Sequence, residues 1–221
     1  VENDMLKRAG GAAALGNGME WLDFGVFSYL AVTIGRVFFA YASATSQLIA
    51  TFGTFAAAFL VRPLGGLVFG PLGDRYGRQR ILAITMIMMA IGTFCIGLIP
   101  SYSSIGIMAP ILLLAARLLQ GFSTGGEYGG AATFIAEYST DNRRGFWGSF
   151  LEVGTLAGFA AGTLVVYAVR AIVGEEAMAA YGWRIPFLIA LPLGLIGLYL
   201  RSRVEDTPVF RDLESQGGTE E

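Results

Sequence analysis

The sequence predicts an all-α membrane protein with six transmembrane helices and both termini in the cytoplasm. Three observations predict it. Charged residues make up 14% of the 221, little more than half the roughly 25% of an ordinary soluble domain. Residues 37–61 and 81–116 carry no charge at all, and a bilayer needs such runs, because a spanning helix takes ~20 predominantly apolar residues. Lysines and arginines gather in alternate connections. This composition excludes a soluble enzyme, a nucleic-acid binder and a disordered chain. The chain has no His, so it lacks the commonest proton shuttle and metal ligand and any Ser–His or Cys–His pair. No metal or cofactor is expected, and Cys95 alone cannot form an internal disulfide.

Six apolar segments follow in order: 9–39, 47–72, 81–99, 105–138, 145–173 and 185–200. Short connections at 41–46, 74–80, 100–104, 139–144 and 174–184 separate them, with Pro100 and Gly174 as breakers. Val1 to Arg8 are polar and the first apolar stretch outlasts a signal peptide's core, so no cleavable leader is expected. Alternation puts Lys7, Arg8, Arg75, Arg78, Arg80, Arg143, Arg144, Arg201, Arg203 and Arg211 on one side, against Arg36, Arg170 and Arg184 on the other. The excess marks the cytoplasmic face. Trp147 and Trp183 stand where interfacial anchors belong, and Arg184 and Arg201 can snorkel from the ends of the last span. Residues 1–201 form the bundle; 202–221, rich in Glu and Asp, read as an acidic cytoplasmic linker or tail.

Lipid gives helices no hydrophobic reason to associate, so close backbone contact has to hold them. Small-residue ridges supply it: Gly121, Gly125 and Gly129; Gly154, Gly158 and Gly162; Gly66 and Gly70. Polar residues at membrane depth are costly and ask for a function. The first span carries Asn17, Glu20 and Asp23 on one face, and the fourth carries Arg117, Gln120, Thr124 and Glu127 on one face. Arg62, Glu152 and Thr155 add to them. Arg117 can pair with Asp23 or with Glu127. Two acids and a base converging at mid-depth mark a water-filled path, and carboxylates are the only groups there that can relay protons.

The connection after the second span reads Gly70-Pro-Leu-Gly-Asp74-Arg75-Tyr-Gly77-Arg78-Gln-Arg80. Gly77 permits a tight turn, Asp74 can meet a helix N-terminus, and the arginines can meet Glu137 at the end of the fourth span. This G-x3-D-R-x-G-R-x-R pattern resembles the signature of the major facilitator superfamily between its second and third helices. Arg117-Leu-Leu-Gln120-Gly121 resembles the superfamily's fourth-helix motif, linked to proton coupling. Gly16-Asn17-x-x-Glu20-Trp21-x-Asp23-Phe24, Arg62-Pro-Leu-Gly-Gly66, Gln120-Gly-Phe-Ser-Thr-Gly-Gly-Glu127-Tyr128 and Gly182-Trp-Arg-Ile-Pro-Phe187 narrow the resemblance to its metabolite:proton symporter branch. Thr93 to Tyr102, Ala190 to Gly194 and Glu205 to Phe210 look most like proline/glycine-betaine osmoprotectant transporters.

That resemblance implies a secondary transporter in a cell membrane, carrying a small solute with protons by alternating access. Arg117 and Gln120 would bind the solute carboxylate, with Asn17 beside them. Trp21, Phe24 and Tyr128 would face its cation. Asp23, Glu127 and Glu20 would carry the proton, and Gly70, Asp74, Arg75, Gly77, Arg78, Arg80 and Glu137 would form a cytoplasmic gate. The superfamily has twelve spans in two six-helix halves, each a 3+3 inverted repeat, and this chain has one half. It can be a piece of a longer chain, a half that pairs with a separately encoded partner, or a homodimer. The homodimer is the expectation, with Asp74 of one copy facing Gly145 of the other. Alternatives are a non-transporting scaffold or sensor subunit, and a dicarboxylate substrate such as α-ketoglutarate.

Overall fold

The computed structural model describes residues 2–139 and 141–202. Among them there is no strand. Helix α1 spans Glu2–Tyr29 and α2 Ala31–Phe38, and the axis turns by 69° at Leu30 between them. Helix α3 spans Ala44–Tyr76. Ser43 starts it, its Oγ accepting from the Ser46 amide and so satisfying one otherwise orphaned donor. Helix α4 spans Arg78–Leu98 and α5 is a single turn, Tyr102–Ile105. Helix α6 spans Met108–Tyr138 and α7 Arg144–Val173. Helix α8, Glu175–Ala177, runs through a wider π-type turn at Met178–Gly182 into α9, Arg184–Ser202.

Among the described residues four helices, α3, α4, α6 and α7, are long and apolar enough to cross a membrane; counting each bent pair, α1–α2 and α8–α9, as one span brings the number to six. Two expected connections are themselves helical. The charged stretch 74–80 contracts to Gly77, whose φ of 95° suits glycine and turns the chain from α3 straight into α4. Charged side chains can ring a helix end without breaking it. Likewise 174–184 is helical except at Gly174, with φ 83°, and at Trp183. Apart from Ser202, the acidic tail lies outside the described residues.

The helices pack chiefly in pairs: α1 on α7, α3 on α6, and α4 on α9. Glycine permits the first two contacts. A Cβ on Gly154, Gly158 or Gly162 would run into the carbonyls of Ala14, Gly18 and Leu22, and one on Gly121 or Gly125 into those of Ala58 and Arg62. On the α3 side the contact is made by Gly65 against the Phe122 carbonyl and by Gly66 against that of Gly125, while Gly70, the other member of the expected ridge, faces open space. Leu30, Ile34, Phe38, Ile96, Trp183 and Phe187 belong to one core cluster, drawn from α2, the end of α4 and the start of α9.

Three of the expected anchors, Trp147, Trp183 and Arg184, turn inward, and the side chain of Arg201 lies outside the described residues. Trp147 and Trp183 are buried; Trp183 stands edge-on to Phe38 at 5.6 Å between ring centroids. Arg184 turns inward, its Nη1 donating to the carbonyls of Gly97 (2.8 Å) and Ile99 (2.7 Å). The last carbonyls of α4 have no helical partners, and this guanidinium supplies them.

Candidate functional site

Helix α1 brings Asn17, Glu20 and Asp23 to one face, and α6 brings Arg117, Gln120, Thr124 and Glu127 to another; all seven are at most 5% exposed. The two faces meet inside the bundle. Arg117 Nη1 donates to Asp23 Oδ2 at 2.6 Å and to Gln120 Oε1 at 2.8 Å. Gln120 Nε2 donates to Thr93 Oγ1 at 2.6 Å, and Thr93 Oγ1 donates to Asp23 Oδ1 at 3.2 Å. The result is a closed ring of four side chains from α1, α4 and α6. Of the two acids open to Arg117 in the sequence, the structure pairs it with Asp23. Its guanidinium carbon lies 3.6 Å from the centroid of the Phe27 ring, so the cation is covered by an aromatic face as well as paired.

A second ion pair lies alongside. Arg62 Nη2 of α3 meets Glu20 Oε1 of α1 at 2.6 Å. Arg62 is 22% exposed at its side chain where Arg117 is 1% exposed. Its Nε and the Oε2 of Glu20 find no hydrogen-bond partner among the described residues. Glu127 and Asp23 both lie within electrostatic reach of Glu20.

Beside these pairs is a cavity of about 180 Å³, walled by Trp21, Phe24 and Phe27 of α1, Phe52, Phe55 and Phe59 of α3, and Phe159 of α7. Trp21 and Phe24, two of the three residues expected to face a cation, line it, edge-on at 5.0 Å. The Tyr128 side chain lies outside the described residues. Asn17 sits in the α1–α7 seam, its Nδ2 donating to the Leu151 carbonyl and to Thr155 Oγ1, both at 2.6 Å. Glu152 is on the exposed side of α7, away from that seam. Thr93, Phe27, Phe55 and Phe59 are site residues that sequence reading missed. The 52–55–59 spacing, one helical face of phenylalanines, is the signal that held Phe55 and Phe59; Thr93, in a charge-free span that also holds Thr85, gave none.

At the far end of α3 a second cavity, of about 370 Å³, is lined by Gly66, Gly70, Gly73 and Asp74 of α3, Arg78 of α4, and Gly125, Gly126 and Gly129 of α6. Asp74 Oδ1 and Arg78 Nη2 are 3.1 Å apart across Gly77, so the carboxylate meets the first residue of the next helix. Arg75 lies over the ring of Tyr76 at 5.4 Å, and Arg80 is exposed. The side chain of Glu137 lies outside the described residues.

Residues 11–220 match the profile of the family described as sugar (and other) transporter. The chain belongs to that family, within the major facilitator superfamily. Among curated members of this family, it is 59% identical over 211 residues to the glycine betaine/proline/ectoine/pipecolic acid transporter OusA of Dickeya dadantii, covering 96% of this chain and 42% of that one. It is 58% identical over 211 residues to the proline/betaine transporter of Escherichia coli K12, with the same coverage. The chain thus spans less than half the length of these relatives. Among solved structures, the major facilitator fold of the proton:xylose symporter XylE, bound to 6-bromo-6-deoxy-D-glucose, superposes with a TM-score of 0.81 at 21% identity, over 100% of this chain and 48% of that one. An inward-open form of XylE from E. coli superposes with a TM-score of 0.76 over 95% of this chain and 50% of that one.

Proposed function

We propose that this chain is one six-helix half of a proton-coupled symporter in a cell membrane, moving a small zwitterion such as proline or glycine betaine by alternating access. The observation that carries the reading is the ring of Arg117, Asp23, Thr93 and Gln120, buried beside the Arg62–Glu20 pair and the aromatic cavity. Charged groups at that depth need a task. Guanidinium groups suit a carboxylate, and aromatic faces suit an ammonium. The names of the relatives that share 58–59% of its residues support the substrate class. The ten lysines and arginines at the two ends and in alternate connections support cytoplasmic termini, with α1–α2 and α8–α9 each read as one span.

In this reading Asp23, Glu127 and Glu20 exchange protons, since the chain holds no His. The Asp74–Arg78 pair, with Arg75, Arg80 and Glu137, latches the cytoplasmic side. The second half comes from a further six-helix segment or from another copy of this chain. The span of 42% of the relatives' length also supports a second reading, in which this chain alone is a non-transporting half. The test is uptake of labelled betaine, proline and α-ketoglutarate into proteoliposomes holding only this chain, with and without an inward proton gradient. Gradient-dependent uptake of the zwitterions is expected. Uptake of α-ketoglutarate alone would overturn the substrate class. No uptake from a folded preparation that still binds betaine would favour the non-transporting half.

A further inference from the structure

We infer that Arg62, rather than Arg117, is the guanidinium that receives the solute's carboxylate, and that Glu20 competes with the solute for it. This rests on the zwitterion reading above. Arg117 is enclosed: it is 1% exposed, its Nη1 is shared by Asp23 and Gln120, its Nε and Nη2 find no partner among the described residues, and Phe27, a wall of the aromatic cavity, lies across its face at 3.6 Å. A solute in that cavity meets Phe27 before it meets Arg117. Arg62 also stacks on cavity walls, but its side chain is 22% exposed where that of Arg117 is 1% exposed. Its guanidinium lies 4.1 Å from the centroid of Phe59 and 5.1 Å from that of Phe24, both cavity walls. It is partly exposed, and its hydrogen bonding among the described residues is confined to Nη2 and Glu20.

The cavity of about 180 Å³ has room for a small amino acid or betaine. With a carboxylate on Arg62, the ammonium end points away from the guanidinium, into the rings of Trp21, Phe24, Phe52 and Phe55. A plain cation in the same place is repelled by Arg62. The carboxylate of Glu20 already occupies the Nη2 side of Arg62, at 2.6 Å. Protonating Glu20 removes that competitor and frees the fork for the solute. Proton and solute are thereby coupled through a single guanidinium. The charged groups facing Glu20 are Arg62 from α3, Glu127 from α6 and Asp23 on its own helix.

The experiment is equilibrium binding of radiolabelled glycine betaine, with choline as the carboxylate-free comparison, to the purified full chain in lipid nanodiscs. Losing a charge-assisted contact predicts that Arg62→Gln weakens betaine binding roughly ten- to hundredfold and leaves choline unchanged or tighter. Betaine binding to the unmodified chain should tighten as pH falls, and Glu20→Gln should bind tightly at every pH. Equal betaine affinity in Arg62→Gln and the unmodified chain, or choline binding as tightly as betaine, would overturn the assignment to Arg62. If Arg62→Gln does not fold, Arg62→Lys (expected to be intermediate) and the betaine-to-choline ratio of the unmodified chain decide. An unmodified chain that is folded and monodisperse, yet binds neither betaine nor proline, sinks the zwitterion reading itself.

Discussion

Arg117 and Asp23 are buried on every side, and that sets how each responds to substitution. Removing one member of a buried pair strands the other's charge, an effect of about 3–5 kcal/mol, whereas replacing both with apolar groups of similar volume can be neutral. The ring through Gln120 and Thr93 ties the pair to α4 as well as α6. Arg117→Met and Asp23→Leu should each lower the thermal unfolding midpoint in detergent sharply. The double variant should recover most of the loss, and transport should stay absent in all three. A double variant no more stable than the singles would mean that the pair contributes more than charge compensation. The other pair predicts a different pattern, because Arg62 is a fifth exposed: its loss is felt in solute binding before stability.

At the scale of helices, the glycines of one chain fall into two kinds that look alike in sequence. Gly125 and Gly70 both stand in small-residue ridges, but a Cβ on Gly125 would enter the carbonyl of Arg62, while one on Gly70 meets nothing within 4 Å. Gly125→Ala should therefore separate α6 from α3 and lower the melting temperature. Gly70→Ala should be neutral or stabilising by up to about 1 kcal/mol, the usual gain from alanine in a helix interior. Equal melting temperatures for the two variants would count against the α3–α6 contact as drawn. The same distinction shows what was readable from residues alone. Long apolar runs gave the helices and the Asn17–Glu20–Asp23 spacing gave a polar face, because 3.6-residue periodicity is local. Which acid Arg117 would choose, whether Arg184 turns outward or inward to α4, and that Gly65 rather than Gly70 makes the contact all depend on how two helices are set against each other. Thr93 was invisible for the same reason: its partners, Asp23 and Gln120, are 70 and 27 residues away in the chain.

The whole molecule is lopsided. In α4, 56% of the most apolar stretch is buried within the bundle, against 17% in α3 and 22% in α7. Helices α3 and α7 thus turn Leu60, Leu67, Leu156 and Tyr167 outward, toward lipid or toward a second half. The glycine-lined cavity with Asp74 at its edge opens where α3 meets α4, and nothing of this chain among the described residues fills it. If two copies pair about an axis along the membrane normal, α3 of one faces α7 of the other. Asp74, at the end of α3, then comes near Gly145, at the start of α7. Cys95 is exposed, so it is first replaced by serine. Cysteines are then placed at 74 in one copy and at 145 in a differently tagged copy. A short bifunctional maleimide should join the two tags across membranes that hold both, and should not do so when both cysteines are moved to exposed positions on α4. Joining that depends on the 74–145 combination identifies a homodimer built like the two halves of the superfamily. Its absence, with both cysteines shown to be reactive, assigns the outward faces of α3 and α7 to a second half that this chain does not supply.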